Sequence, residues 1–397
     1  MKAYLHDVLV NVAAHPLGWP LARLARRTGR VMRIPRFGLV VSDAAFAHDV
    51  LVNDDDFRKM GEGTISETLT EFIGPSALSN MDGEAHRRLR SRLVDVTSPA
   101  QARLLLAACD VSLAQLVADL NDGKTVDLVR WMRVMSGRLT FDMLGITPPA
   151  GAEEQQCIEL VMLGEQIASG FDLRTPSRSR VERAKAQCDR LAAYARQGYD
   201  SPTSPANSFV RRVRDLGFTF EEAKGVISII FLAGTLTTTA ALPRIVALLA
   251  DSNSLGRLKR DKGTIATALA EGLRYTAPVL ATMRIAHRTV ELRAHRIREG
   301  ERIVILTYNL ARDPRLFTKP DRFDAFRVHD ARARNLWFGA GAHFCLGFAV
   351  AQLQLRMVMD ALLAADGDLE IVRRRVSRNV IVPAYAQLDL RLARTRK

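Results

Sequence analysis

The residue with the clearest chemical potential is Cys345, which follows a glycine-rich stretch. Residues 338–347 read FGAGAHFCLG. The first two glycines allow a tight turn that brings backbone N–H groups close to the sulfur. The apolar run after Cys345 predicts a helix that begins at the cysteine, and a helix N-terminus favours a thiolate. That thiolate could be a metal ligand, an acylated nucleophile or a redox thiol, whereas an arbitrary cysteine in such a turn is usually buried and inert.

Two pairs of charged residues have spacings that place both members on one helical face. Glu271 and Arg274 are three positions apart, and His86 and Arg90 are four apart. Taken alone, the first is an ordinary surface ion pair worth roughly 0.2–0.5 kcal/mol, and the second belongs to a solvated basic helix face. Cations at the second spacing could also hold carboxylates through charge-assisted hydrogen bonds.

A long uncharged segment predicts the helix that would position this chemistry. Residues 226–243 carry no charge, and the Thr219–Glu222 spacing before them fits a capping box. A helix over residues 219–250 would be roughly 45 Å long and would cross the whole domain. The segment is long enough to span a membrane, but its hydroxyl groups favour a buried helix that lines a cavity. These hydroxyls belong to Ser228, Thr235, Thr237, Thr238 and Thr239.

The remaining patterns predict an α-dominated α+β fold with small β-sheets, in a single domain over residues 1–397. Helical spacing dominates residues 44–250, and short β-type runs flank a turn near the N-terminus. Predicted elements are strands at 30–34, 37–41, 289–292 and 302–306, helices at 102–120, 129–144 and 265–275, polar loops at 175–180 and 200–207, an irregular stretch at 312–337, and a strand-rich tail at 380–392.

Composition limits the compartment and the partners. The 397 residues include 57 Lys and Arg against 43 Asp and Glu, for a net charge of +14. Such a balance is typical of a protein that binds nucleic acid or docks an acidic partner, and composition does not separate the two. Four scattered cysteines favour a reducing compartment, and residues 1–20 resemble neither a signal peptide nor a membrane anchor. We therefore expect a cytoplasmic monomer without membrane contact.

The cysteine segment resembles the haem-binding signature of the cytochrome P-450 family, Phe-Gly-x-Gly-x-His-x-Cys-x-Gly, at every fixed position. The resemblance implies that Cys345 is the proximal thiolate ligand of haem b iron, in a turn that also includes Gly339 and Gly347, with Phe338 shielding the sulfur. It implies that haem propionates are held by His86, Arg90, Arg284 and His343. Glu271 and Arg274 match the family's ExxR motif, with Arg327 as the partner arginine, or Arg322 as the alternative, in a structural role.

The long helix resembles the family's distal motif, with one departure. Gly234 matches the small residue that allows close approach to the haem, and Thr237, followed by Thr238, matches the alcohol that helps to hold oxygen and relay protons. Leu236 stands where the family usually has an acid. Either water and the neighbouring threonines carry the relay, or proton delivery is altered towards desaturation, coupling or peroxide-driven chemistry.

The resemblance implies a haem-thiolate monooxygenase that inserts one oxygen atom from dioxygen into a lipophilic small molecule, with electrons from a ferredoxin and a ferredoxin reductase. Mostly aliphatic segments at 65–76, 232–236, 279–282 and 380–383 predict an apolar substrate pocket. Its candidate residues are Leu232, Thr235, Leu236, Val279, Leu280 and Ile381. Arg58 and Lys59 could meet an acidic substrate group, although surface cations are the commoner case.

Rival hypotheses follow from Leu236 and from the charge. The first rival is a peroxide-driven peroxygenase, and the second is a haem- or nucleic-acid-binding protein without turnover. Within the resemblance, the excess arginine is interpreted as a cationic face for an acidic ferredoxin, and nucleic acid is no longer expected as a partner. The arginines of this face are Arg87, Arg88, Arg90, Arg92, Arg332, Arg334 and Arg356. A generally basic, solvated surface remains the alternative.

Overall fold

The computed structural model describes residues 2–28, 30–35, 37–170, 178–331, 333 and 335–393. Helices dominate this part of the chain, as predicted. They are α1 (Lys2–Ala14), α2 (Gly18–Thr28), α3 (Ala44–Val52), α4 (Ile65–Ile73), α5 (Gly83–Leu93), α6 (Pro99–Leu106), α7 (Asp110–Asn121), α8 (Leu128–Leu144), α9 (Glu153–Ala168), α10 (Arg178–Asp200), α11 (Phe209–Asp215), α12 (Phe220–Asp251), α13 (Leu255–Arg260), α14 (Ile265–Thr276), α15 (Thr307–Leu310) and α16 (Phe348–Ala364).

The strands form small, separate sheets at the edges of the helical body. They are β1 (Val31–Ile34), β2 (Gly38–Val41), β3 (Phe57–Arg58), β4 (Val126–Asp127), β5 (Thr282–Ala286), β6 (Val290–Leu292), β7 (His295–Ile297), β8 (Arg302–Ile305), β9 (Leu369–Val376) and β10 (Tyr385–Leu392). The largest sheet has the order β1-β2-β8-β5-β3, and all its pairs are antiparallel except β2 with β8. A three-stranded sheet, β4-β10-β9, and the β6-β7 hairpin complete the set.

Helix α12 is the central element. Thr219 caps it through the predicted capping box, in which its hydroxyl accepts from the Glu222 N–H and the Glu222 carboxylate accepts from the Thr219 N–H at 2.9 Å. The helix packs against α8, α9, α10 and α14. By length and composition, α12 and the Pro99–Asn121 segment could each cross a bilayer, and 67% of the apolar window of α12 is buried inside the fold. This buried share is typical of a helix that lies in the core of a fold.

Several predicted boundaries are wrong. The helix expected over 102–120 is interrupted by a 3₁₀ turn at Ala107–Cys109. Helix α16 begins at Phe348 after Gly347, so Cys345 precedes the helix rather than starting it. Residues 178–180 of the loop expected at 175–180 belong to α10, and 175–177 lie outside the described residues. The tail strand begins at Tyr385, and residues 377–384 form a loop that joins β9 to β10.

Candidate active site

The loop that carries Cys345 is shaped by two glycines with left-handed backbone angles. Gly339 has φ of 82° and Gly341 has φ of 66°. A Cβ on Gly341 would lie 2.5 Å from the carbonyl oxygen of Leu51, so only glycine lets the loop sit against the end of α3. The Cys345 N–H donates to the Phe338 carbonyl at 3.0 Å and closes the loop before α16 begins. The thiol is thereby held in a fixed turn and remains partly exposed.

The surroundings of Cys345 have opposing effects on the pKa of its thiol. Burial raises the pKa of the Cys345 thiol, whereas a hydrogen bond from the Gly347 N–H and the positive charges of Arg90 and Lys59 lower it. Burial is the largest of these effects, so the pKa of the thiol lies above its ordinary value. The other cysteines are buried, and burial raises the pKa of Cys109 to about 12, of Cys157 to about 11 and of Cys188 to about 12. Those three are structural thiols.

A cluster of basic side chains lies beside the cysteine loop, and its two histidines are neutral at neutral pH. The rings of His86 and His343 pack with centroids 4.1 Å apart, and the Nε2 atom of each ring finds no hydrogen-bond partner within the described ranges. Burial, followed by the charge of Arg90, lowers the pKa of His86 to about 4. Burial also lowers the pKa of His343 to about 4, and the charges of Lys59 and Arg284 add to this effect.

Asp82, the acid nearest to this cluster in sequence, is already engaged by the backbone. Its carboxylate accepts from the Lys59 N–H at 2.9 and 3.0 Å and from the Met60 N–H at 2.8 Å. Its Oδ1 atom lies 3.5 Å from Nε2 of His343 without completing a hydrogen bond to that atom. The Nε2 atoms of His86 and His343 therefore remain without a hydrogen-bond partner among the described residues.

Two arginines reach this region in different ways. Arg284 is 2% exposed, and burial lowers its pKa to about 10. Its Nη1 atom donates to the Met283 carbonyl at 2.9 Å. Arg90 donates from Nη2 to the Phe344 carbonyl at 2.7 Å and so ties α5 directly to the cysteine loop.

Glu271 is the centre of a buried ion network behind the loop. Arg274 meets its carboxylate through two hydrogen bonds of 2.6 and 2.8 Å, and both side chains are 0% exposed. Arg327 Nε lies 3.2 Å from Glu271 Oε1, so Arg327 rather than Arg322 reaches this carboxylate from the irregular stretch at 312–337, here called the meander. His329 Nε2 adds a contact of 3.0 Å. Sequence analysis missed His329 because a lone histidine has no spacing relationship to the motif.

These hydrogen bonds decide the charge of Glu271. Burial alone would raise its pKa, but hydrogen bonds from Arg274 and His329 and the charge of Arg327 hold it at about 2. Arg274 also donates to the carbonyls of Ala311 at 2.6 Å and Pro320 at 3.0 Å. The network thus fixes the meander against α14.

Comparison with known proteins places this geometry in a family. A family model described as Cytochrome P450 matches residues 265–365, which include the Glu271 network and the cysteine loop. Putative cytochrome P450 126 of Mycobacterium tuberculosis is 27% identical over 338 residues, covering 79% of this chain and 76% of that protein. Cyclomarin C epoxidase CymV of Salinispora arenicola is 32% identical over 186 residues, covering 46% of each chain.

A solved structure of P450BioI in complex with a hexadec-9Z-enoic acid-ligated acyl carrier protein superposes with a TM-score of 0.83 at 21% identity. The superposition covers 96% of this chain and 99% of that chain. This chain belongs to the cytochrome P450 family. It is a monooxygenase of that family, whose cofactor is haem b bound through a cysteine thiolate.

The residues present in this cytochrome P450 suit such a cofactor. A haem with two carboxylates would take a thiolate as the ligand of its iron and N–H donors for its carboxylates. Cys345 and the unpartnered Nε2 atoms of His86 and His343 provide these groups, with Arg284 alongside. Lys59, expected at the surface, is half-buried instead. Burial and then the charge of Arg284 lower its pKa to about 7.

Helix α12 of the cytochrome P450 presents an open face in the middle of its buried length. Ala233 and Gly234 are exposed there, and a Cβ on Gly234 would meet no atom within 4 Å. Thr237 lies on the same face, with its hydroxyl donating to the Ala233 carbonyl at 2.7 Å. Thr238 is buried, and its hydroxyl donates to the Gly234 carbonyl at 2.8 Å. The open face therefore carries Thr237 rather than Thr238.

The candidate pocket residues of the cytochrome P450 are not all in one place. Thr235 is buried against Gly164 of α9, on the other side of α12, so its assignment to the pocket is wrong. Leu232 packs in a buried cluster with α4 and α9, and Leu236 is half-buried. Leu280 packs beside Trp19, whereas Val279 is 46% and Ile381 is 38% exposed.

Proposed function

We propose that this cytochrome P450 inserts one atom of dioxygen into a C–H bond or an alkene of a lipophilic small molecule, with Cys345 as the ligand of the haem iron. The observation that carries the proposal is the fixed, partly exposed thiol of Cys345 beside the Gly347 N–H and the charges of Arg90 and Lys59. The bound haem supplies the activation of dioxygen. Phe338, Gly339 and Gly347 shape the loop around the sulfur.

The basic side chains beside the cysteine loop would hold the haem carboxylates as N–H donors. His86 and His343 each offer an unpartnered Nε2, and Arg284 adds a buried guanidinium. Lys59 joins this set, whereas the sequence singled it out only as a possible contact for an acidic substrate group. Arg90 acts mainly on the loop, since its Nη2 is bound to the Phe344 carbonyl.

Thr237 would direct protons on the distal side. Its hydroxyl lies on the open face of α12, and its hydrogen is held by the Ala233 carbonyl. An O–H held in this way presents its oxygen lone pairs to the cavity, so Oγ1 can accept a hydrogen bond from water or substrate. Gly234, which has no side chain, leaves open space on the helix surface beside Thr237. Leu236 supplies no carboxylate, so water or substrate must bring the proton to Thr237.

The proposed substrate is apolar because the residues on and next to the open face of α12, Ala233, Gly234 and the half-buried Leu236, bring no charge to it. The P450BioI structure was solved with an acyl chain on a carrier protein. A long acyl chain or another hydrocarbon-rich molecule is the class that fits here.

We further propose a cytoplasmic, monomeric, single catalytic domain over residues 1–397 that takes electrons from a ferredoxin and its reductase. The cationic face expected for the ferredoxin is partly engaged within the chain. Arg87 pairs with Glu84 at 3.3 Å, Arg92 donates to the Leu216 carbonyl at 2.7 Å, and Arg356 pairs with Asp360 at 2.7 Å. Arg332 and Arg334 lie outside the described residues. Exposed Arg88 adds to this face.

The test is turnover with isotopically labelled dioxygen, NADPH, ferredoxin and ferredoxin reductase on a panel of fatty acids and terpenes. One labelled oxygen atom in the product supports the monooxygenase. Product formed only with hydrogen peroxide, without label from dioxygen, contradicts it and supports a peroxygenase, the candidate that Leu236 favours. Leu236→Glu should raise the fraction of NADPH that yields product. No change in that fraction would show that proton delivery does not depend on this position.

A further inference from the structure

Five leucines at the N-terminus project into solvent. Leu5 and Leu9 lie one turn apart on α1, and the other three repeat at spacings of four and three just before and along α2. Their exposed fractions are 52% for Leu5, 56% for Leu9, 69% for Leu17, 64% for Leu21 and 54% for Leu24. We call these five residues the leucine face. Helices α1 and α2 contact each other, so the five leucines lie on adjoining elements, and large apolar side chains left in water there mark an interaction surface.

Both helices are already anchored on their opposite sides. Trp19 of α2 is 6% exposed and packs with Ala277 and Tyr308. Asp7 of α1 is buried and accepts from Arg244 Nη2 at 2.6 Å. The outward leucines are therefore not needed to hold α1 and α2 to the body of the fold.

The segment that carries the leucine face has an excess of cations. Residues 1–42 contain seven Lys and Arg against a single acid, Asp7. Three of these cations pair with acids from elsewhere in the chain, Lys2 with Asp251, Arg26 with Asp321 and Arg33 with Glu301. Arg27 and Arg30, at the end of α2 and just after it, are exposed. Helices that combine outward leucines with arginines are typical of elements that lie in the interface of an anionic bilayer.

We propose that α1 and α2 dock this protein reversibly onto an anionic lipid bilayer, with the leucine face among the acyl chains and the cations against the headgroups. A second copy of the chain is a poorer occupant because two such cationic faces repel each other. Nucleic acid would meet the cations but would leave the leucines in water. Sequence analysis predicted no membrane contact because it considered spanning segments, signal peptides and anchors, and not the exposed faces of α1 and α2.

The docking surface adjoins the candidate pocket. His15 Nε2, between α1 and α2, lies 3.0 Å from the Ile381 carbonyl, and the Asn379 N–H donates to the Ala13 carbonyl at 3.0 Å. Trp19 packs beside Leu280. A lipophilic substrate dissolved in the bilayer would thus meet the protein at the edge formed by Leu280 and Ile381. This route rests on the proposed function, whereas lipid binding does not.

The test is co-sedimentation of the full-length, haem-loaded protein with phosphatidylcholine vesicles, with and without phosphatidylglycerol. We expect binding to the anionic vesicles that weakens with salt. The double variant Leu17→Ser/Leu21→Ser should lower the partition coefficient about tenfold or more, because each leucine contributes apolar burial. The matched control is Leu104→Ser/Val111→Ser, which removes apolar side chains that are 56% and 79% exposed on α6 and α7. The control should bind as the wild type does.

Three results would overturn the proposal. The first is no sedimentation with anionic vesicles, and the second is an equal loss in the leucine and control variants. The third is a dimer in analytical ultracentrifugation that the Leu17→Ser/Leu21→Ser variant abolishes, which would assign the leucine face to a second copy. Haem content and absorption spectra of all variants show that the fold is kept, so a failure of lipid binding is separate from a failure of the proposed monooxygenase.

Discussion

The imidazole rings of His86 and His343 lie against each other, with centroids 4.1 Å apart and planes tilted by 35°. One belongs to α5 and the other to the cysteine loop, and their Nε2 atoms are unpaired among the residues that the structure describes. Buried polar atoms without partners are costly, so such a pair persists where a ligand completes its hydrogen bonds. This contact links two segments that are 257 positions apart in a site for a dianionic cofactor.

The Glu271 network should be essential for folding. Glu271→Gln removes a carboxylate that holds Arg274, Arg327 and His329. Breaking one member of a buried ion pair costs about 3–5 kcal/mol. Urea unfolding of the purified protein measures the loss, and haem content should fall with it. The matched control is Glu182→Gln, which breaks the exposed pair with Arg178 at 3.0 Å and should change stability little. Equal effects of the two variants would contradict the structural role of the network.

The same network predicts a pH dependence. The pKa of Glu271 is about 2 in the fold, below its ordinary value of 4.5. Because the folded pKa is depressed, its stabilisation is complete above pH 4.5 and is lost as pH falls towards 2, by at most about 1.4 kcal/mol per pH unit. Arg327→Ala should raise this pKa, so its stability deficit at neutral pH should shrink in acid.

Arg322→Ala is the control for this pH dependence. Arg322 meets Arg327 through its backbone carbonyl at 2.9 Å, so its side chain can be removed without taking a charge from the Glu271 network. The variant should show a pH-independent change in unfolding free energy. A shrinking deficit for Arg322→Ala, or a constant one for Arg327→Ala, would reverse the assignment of the meander arginine.

Gly341 should be the least replaceable glycine of the cysteine loop. Gly341→Ala combines a left-handed backbone with a Cβ only 2.5 Å from the Leu51 carbonyl. Gly300→Ala meets the same backbone constraint, at φ of 74°, in open space. Left-handed strain costs about 1–2 kcal/mol in both, and overpacking adds about 1–3 kcal/mol at Gly341. Unfolding free energy and haem retention should both fall further for Gly341→Ala. Equal losses would show that the loop does not rest on α3.

Replacing either of two glycines of α12 by alanine should change the stability of the protein, in opposite directions for the two positions. Gly234→Ala places a methyl group in open space and should stabilise the helix by about 0.5–1 kcal/mol, while slowing turnover by narrowing the cavity. Gly225→Ala would bring a Cβ within 2.8 Å of the Ser76 backbone and should destabilise the protein. Thermal unfolding and product formation measure both effects. A destabilised Gly234→Ala would mean that this face is filled by protein rather than open.

Much of the fold was readable from local patterns. The Thr219 capping box and the Glu271–Arg274 spacing each encode their structure within a few residues, and the structure agrees with both. The 3₁₀ interruption at Ala107–Cys109 was not readable, because nothing in Ala-Ala-Cys breaks a helix. Packing of α6 and α7 against α16 accompanies that interruption.

Some parts of the site could not be predicted from local sequence patterns. Thr235 and Thr237 are two positions apart and face different sides of α12, and only the position of α9 shows which side is closed. Lys59 and His329 acquire their importance from residues that are distant in sequence. Motif spacing therefore identified residues whose partners are close in sequence. It missed residues whose partners are brought near only by the tertiary fold.

The most direct test of the account is the absorption spectrum of the reduced, carbon-monoxide-bound protein, for wild type and Cys345→Ala. The wild type should show the Soret band of a thiolate-ligated haem, and Cys345→Ala should lose it, either with the haem or with a shift to the band of a different ligand. Haem content measured in parallel separates these two cases. A thiolate-type Soret band that survives Cys345→Ala would contradict the assignment of Cys345.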